Sequence, residues 1–206
     1  MSRYSDYDDY DEDDANFRYA AWQRNARLAL SGKRGRKMLA ELREALMALP
    51  EKRLIRDALC TVGAEKRKAA LLAQAERDKA RLDEQFAAKY GPAELDTSLA
   101  EQFAEIAAGQ GEGVCGVGAW LWYRKVKAGA DPAEAFDSLP LVFDGDGEDS
   151  LHETAGLAKQ AGAAFTLAWE LAYKNDETFS SKTPEERHAA FVAWIDEQLA
   201  DKAVVS

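Results

Sequence analysis

Apolar residues recur along this chain three and four positions apart, which is the spacing of one face of an α-helix. Leu39, Leu42, Leu46 and Leu49 form one such stripe, and Pro50 closes it, predicting a helix over 36–49. Ahead of it, residues 16–30 place Tyr19, Trp22 and Ala26 on one side and Arg18, Arg24 and Arg27 elsewhere, with Asn16 as N-cap and Ser31-Gly32 as the stop. Residues 64–90 repeat the pattern through Leu71, Leu72, Ala75, Leu82 and Phe86. Gly91-Pro92 breaks that helix, and 93–108 resumes it through Leu95, Leu99, Phe103 and Ile106. The pair reads as an antiparallel helical hairpin. Leu54 to Val62 fits a short strand as well as a helix.

In the second half, Val114-Cys115-Gly116-Val117-Gly118 predicts a turn or brief strand that runs into a helix ending before Gly129. Trp120, Trp122 and Tyr123 cannot share one helical face, so this helix is expected either to be sandwiched in the core or to present some of them as an aromatic patch for a partner. The three glycines from Gly113 to Gly118 are expected at a tight turn or a close backbone approach. Asp131 caps a short helix from Pro132 to Ser138. A loop over 139–149 leads to helices at 150–161 and 163–174. The second of these is apolar almost all round (Phe165, Leu167, Ala168, Trp169, Leu171, Ala172) and is expected to be a buried central helix. Thr183-Pro184-Glu185-Glu186 is a capping box with proline at the first helical position, and the helix it opens uses Phe191, Trp194, Ile195 and Leu199. The fold class is therefore mainly α: a compact helical domain with at most a short two-stranded element. An acidic arm is expected at 1–15, a single domain over 16–206, and an inserted hairpin at 63–112.

Composition adds a core and excludes some classes. The 206 residues are 47% hydrophobic, ample for one domain. Two cysteines make no disulfide framework, and no apolar run is long enough for a membrane span. The acidic N-terminus is unlike a signal peptide, so the expected setting is cytoplasmic, with no membrane partner. The net charge of −10 excludes a uniformly basic nucleic-acid coat, yet it hides a partition. Residues 1–15 carry −6, residues 16–56 carry +8, residues 57–113 carry −4 and residues 114–206 carry −8. The arm, with Tyr4, Tyr7 and Tyr10 spaced among aspartates, has too little apolar surface to order itself. It is expected to be disordered alone, acting as a solubilising tail, a short docking element or a cover for the basic stretch beside it.

Candidate chemistry is sparse. Gly113 and Gly118 have phosphate-loop spacing, but Ala119 and Trp120 stand where Lys and Ser/Thr are required. Asp144, Asp146, Glu148 and Asp149 fail the EF-hand pattern at its sixth and twelfth positions. Cys60, Cys115, His152 and His188 lack the short ligand spacing of a zinc site. No catalytic constellation, metal or cofactor is expected, and the two cysteines are expected to be buried thiols. The best functional candidate is Lys33, Arg34, Arg36 and Lys37, four cations in a glycine-flanked turn between two helices, suited to phosphate contact.

Gly32-Lys33-Arg34-Gly35, Ala48-Leu49-Pro50-Glu51-Lys52-Arg53-Leu54-Ile55, Val114-Cys115-Gly116-Val117-Gly118-Ala119, Tyr173-Lys174-Asn175-Asp176-Glu177 and Thr183-Pro184-Glu185-Glu186-Arg187 occur in that order. This arrangement resembles a family of small bacteriophage- and prophage-encoded proteins labelled hypothetical, over residues 15–60 and 113–200. This chain differs in the inserted hairpin and at His188, where the family has an aromatic. The resemblance implies a viral origin and a bacterial host cytoplasm, and supplies no catalytic residue. The expectation is a non-enzymatic phage accessory protein that binds a host or phage protein through its acidic surface, as a nucleic-acid mimic or host-defence inhibitor would. The alternative is a nucleic-acid-binding module that uses the basic 16–56 segment, masked by the acidic arm.

Overall fold

A computed structural model describes residue 21 and residues 24–26, 28–143 and 149–200, the side chains of 149–152 excepted. The fold is mainly α. Its elements are α1 (Lys33–Ala48), α2 (Ala64–Tyr90), α3 (Ser98–Gln110), α4 (Gly116–Lys127), α5 (Pro132–Asp137), α6 (Asp149–Gln160), α7 (Phe165–Tyr173), a π-helical turn (Lys174–Thr178) and α8 (Pro184–Ala200). Helical residues 28–31 precede α1. Among the described residues there is no named strand, only isolated bridges.

Helix α4 is the hub, packed against α1, α5, α6 and α7, while α8 lies on α1 and α6 pairs with α7. It holds this place because its N-terminal end is thin. A Cβ on Gly118 would stand 2.3 Å from the Leu59 carbonyl oxygen, and one on Gly116 would stand 2.9 Å from the Phe191 ring. The expected close approach is thus a real one. Trp120 and Trp122 are buried on different faces of α4, as a sandwiched helix requires, while Tyr123 reaches the surface and donates to Glu44 at 2.9 Å.

The ambiguous 54–62 segment is neither a regular strand nor a helix. Its backbone grips Val114 from two sides: Ile55 N–H donates to Val114 C=O at 3.1 Å, and Cys115 N–H donates to Leu59 C=O at 3.0 Å. Thr61 N–H reaches Gly113 C=O at 2.9 Å. The two ends of the 63–112 segment meet at these bonds, so the α2–α3 hairpin leaves and re-enters the body at one place. Arg67 anchors its base, buried and donating to Val62, Phe136 and Leu139 carbonyls at 2.9, 2.7 and 3.1 Å. Phe103 of α3 packs edge-on against Phe143 of the body.

Three expectations change. Helix α1 starts at Lys33, so the basic cluster lies in its first turn and the inter-helix turn shrinks to the bend at Gly32. Helix α3 starts at Ser98, because residues 91–97 are irregular and the Asp96 carboxylate accepts the Ser98 N–H at 3.0 Å. Helix α7 buries Leu167, Ala168, Leu171 and Ala172 but leaves Phe165 37% exposed and stacks Trp169 on Tyr173, so it is amphipathic rather than buried all round. The cap readings hold: Asp131 accepts from Ala133 and Glu134 N–H, and Thr183 and Glu186 exchange reciprocal bonds at 3.0 and 3.2 Å. Among the described residues no helix is long and apolar enough to cross a membrane.

Candidate functional site

Gly32 ends one run of helical residues and opens α1 without a side-chain cap. The close crossing continues at Gly35, where a Cβ would lie 1.9 Å from the Ala29 carbonyl oxygen. That approach fixes the direction in which the first turn of α1 presents its cations. Lys33, Arg34 and Lys37 are exposed and line an open groove of roughly 730 Å³. Arg36 turns the other way, donating to the Leu199 carbonyl at 2.8 Å near the end of α8. The structure thus divides the four candidate cations: three converge on the groove and the fourth ties α1 to α8.

The opposite wall comes from elements far away in sequence. Arg124 of α4 lies over the Trp120 ring at 4.9 Å and donates to the Ala161 carbonyl at 2.5 Å. Trp120 forms part of the lining and donates its indole N–H to Glu41 at 3.3 Å. Among the described residues that line the groove, Glu41 is the one carboxylate, and it is turned toward the indole. The first turn of α1 holds no acidic residue. Its cations therefore add to the positive end of the helix dipole rather than offset it, which concentrates positive potential at the groove mouth. Lysine supplies point charges there and arginine a planar fork for oxyanions. Sequence reasoning missed Arg124, and it singled out Trp120 without placing it beside the basic cluster. Neither carries a local signal, because only the packing of α4 on α1 places them here.

A second polar cluster was also missed. The π-helical turn carries Asn175, fully buried, whose side-chain amide donates to the Ile55 carbonyl at 2.8 Å and to Asp176 at 2.5 Å. The Asn175 carbonyl oxygen is buried without a partner. Burial is the main cause that pushes the Asp176 carboxyl up to about 7, and the nearby Asp57 charge adds to it. Asp57 itself has φ of 60°, the left-handed region that a non-glycine residue seldom adopts. Arg187 is buried beside this group and donates to Leu54 and Lys182 carbonyls at 2.7 and 2.9 Å. Gln110 at the hairpin base joins it, exchanging bonds of 2.8 Å with the Arg56 backbone. These groups clamp the 54–57 loop between the hairpin base and α8, through donors that reach the Ile55, Arg56 and Leu54 carbonyls.

The remaining candidates separate. Cys60 and Cys115 are both free and buried on the paired segments. Burial pushes the Cys115 thiol up to about 12, and its sulfur accepts the Gly118 N–H at 3.4 Å as the N-cap of α4. His188 is buried with Nε2 3.0 Å from the Leu46 carbonyl oxygen. Among the described residues no three His, Cys, Asp or Glu side chains group as metal ligands. Tyr4, Tyr7 and Tyr10, the acidic residues Asp144, Asp146 and Glu148, and the side chains of Asp149 and His152 lie outside the described residues. Searches of protein-family models, curated proteins and solved structures return no match to this chain. What the fold and groove define is an α-helical protein with a cationic concavity on an acidic body.

Proposed function

We propose that this protein is a non-enzymatic binding protein, working as an accessory factor in an infected bacterial cell, that takes the phosphate backbone of a nucleic acid into the α1–α4 groove. The observation that carries this reading is the convergence of Lys33, Arg34 and Lys37 with Arg124, from elements far apart in sequence, in a chain of net charge −10. Acidic residues elsewhere repel a polyanion, so they restrict contact to this groove and orient the approach. The acidic 1–15 segment, −6 by sequence, competes for the same cations.

The test is a fluorescence-anisotropy titration of labelled single-stranded and duplex DNA at two salt concentrations. Four phosphate contacts give a log–log salt slope of about −3. Binding is expected to tighten when residues 1–15 are removed and to vanish when Lys33, Arg34 and Lys37 are replaced by Ala. No binding by either the full chain or the shortened one, or binding that ignores salt, overturns the reading. Protein–protein contact through the acidic surface is the other reading of the charge map.

A further inference from the structure

Helix α2 runs for 27 residues, about 40 Å at 1.5 Å per residue, yet Arg67 at its base is its only buried residue. Its partner α3 has 13 residues, and the chain between them has no regular secondary structure over 91–97. The outer half of α2 therefore has an irregular segment beside it where its inner half has a helix. The Asp83 carboxylate holds that segment in place by accepting the Ala93 N–H at 2.6 Å. Five large apolar side chains stand open on this outer end: Leu82 41%, Phe86 47%, Tyr90 71%, Leu95 44% and Leu99 49% exposed. Leu82, Phe86 and Tyr90 follow one another every four residues and so share a stripe of α2, with the Phe86 and Tyr90 rings 6.3 Å apart. Of the eight large apolar residues exposed among the described residues, these five fall within one stretch of the chain. Concentrated exposure of this kind marks an interaction surface, whereas scattered apolar residues do not.

Charge identifies the partner. Residues 82–101 hold five carboxylates (Asp83, Glu84, Glu94, Asp96, Glu101) against Lys89 alone. Lys89 is drawn onto the neighbouring Tyr90 ring at 4.8 Å. Arg81, next in sequence, is turned to Asp78 at 3.1 Å. The Lys79 ammonium holds the Asp83 carboxyl below the usual carboxylate range, and hydrogen bonds from Ser98 do the same for Asp96, so both stay ionised near neutrality. A second copy would bring like-charged tips together. A segment with large apolar residues on one face and Lys or Arg beside them would meet both features.

We propose that the outer end of the α2–α3 hairpin is a docking surface for a cationic amphipathic helix of a partner protein. Phe86, Tyr90 and Leu82 receive its apolar face, and Glu94, exposed on the segment that Asp83 holds beside α2, selects its basic flank. None of these residues lines the nucleic-acid groove, so the two activities are separable.

The experiment titrates the full-length protein against three labelled synthetic peptides: a Leu/Lys amphipathic helix, a Leu/Glu helix of the same pattern, and a Ser/Lys peptide of equal charge. The Leu/Lys peptide is expected to bind at least tenfold more tightly than the Ser/Lys peptide, and the Leu/Glu peptide is expected not to bind. The double variant Phe86→Ser/Tyr90→Ser should weaken Leu/Lys binding at least tenfold. So should Glu94→Lys, which leaves the apolar stripe intact. Because these residues are exposed, circular dichroism of both variants should match the parent. Equal affinity for the two Lys peptides, or Leu/Lys binding that survives both variants, overturns the proposal. A concentration-dependent dimer that Phe86→Ser/Tyr90→Ser dissolves overturns it too, because the occupant would then be a second copy.

Discussion

Replacing Asp176 by Asn isolates one buried charge at nearly constant size, and its effect on stability should depend on pH in a defined direction. Burial is the main cause that raises the Asp176 carboxyl from 3.8 to about 7, with the Asp57 charge adding to it and the Asn175 bond opposing it. A carboxyl whose folded pKa exceeds its unfolded value binds more protons in the native state between those two values, so stability falls as pH rises through that window. The contribution is complete below about pH 4 and lost above about pH 7. A shift of this size corresponds to roughly 4 kcal/mol, and solvent access to the part-exposed residue reduces this to about 2–4 kcal/mol. Asp176→Asn cannot ionise and should escape the loss. Urea unfolding of both proteins from pH 4.5 to 8.5 should show the variant gaining on the parent as pH rises, with the gain levelling above about pH 8. The carboxyls held below their usual range, Asp83, Asp96, Asp137 and Asp196, lose stabilisation in acid instead. They are common to both proteins and cancel in the difference. A difference that stays constant with pH, or widens toward acid, refutes the assignment of an enclosed, reluctant carboxylate at this position.

Gly35→Ala should destabilise by about 3 kcal/mol or more, because its Cβ would fall 1.9 Å from a backbone oxygen that no side-chain rotation can move. Gly109→Ala in α3, with nothing within 4 Å, should be neutral or stabilise by up to about 1 kcal/mol. Chemical denaturation of both variants checks the pair, and equal effects would refute the close crossing. Cys60 and Cys115 should resist alkylation in the native protein near pH 8 and react once it is unfolded, because burial raises both thiols. Mass spectrometry after timed alkylation reads this directly, and fast native labelling would refute the burial.

Much of the architecture is legible locally. The Leu39–Leu49 stripe, the Asp131 cap and the Thr183-Pro184-Glu185-Glu186 box each describe a contact within a few residues, and each appears where its spacing places it. The start of α3 escaped because Leu95 fits the helical stripe while Asp96 offers its carboxylate to the Ser98 N–H, a capping contact that competes with the helix. The exposed side of α7 escaped because periodicity cannot tell apolar residues packed on a core from those stacked on one another, as Trp169 and Tyr173 are. At the candidate site, Lys33, Arg34 and Lys37 were legible as a charge cluster. The departure of Arg36 to Leu199 was not, since its acceptor lies 163 residues away.

The sequence by itself determined the helical class, the segregated charge, the hairpin and the place where the basic cluster begins. All of these follow from the spacing of side chains along one chain, on which helical periodicity and local capping depend. The tertiary structure alone decided that Arg124 and Trp120 complete the groove, that Asn175, Asp176 and Arg187 clamp the 54–57 loop, and that the outer end of α2 stays uncovered. Those outcomes depend on which helices approach each other and how closely, and the approach is set by thin contacts such as Gly35 on Ala29 and Gly118 on Leu59. A glycine in the sequence permits such a contact, but the partner backbone that makes it necessary is brought there by the packing of the whole domain.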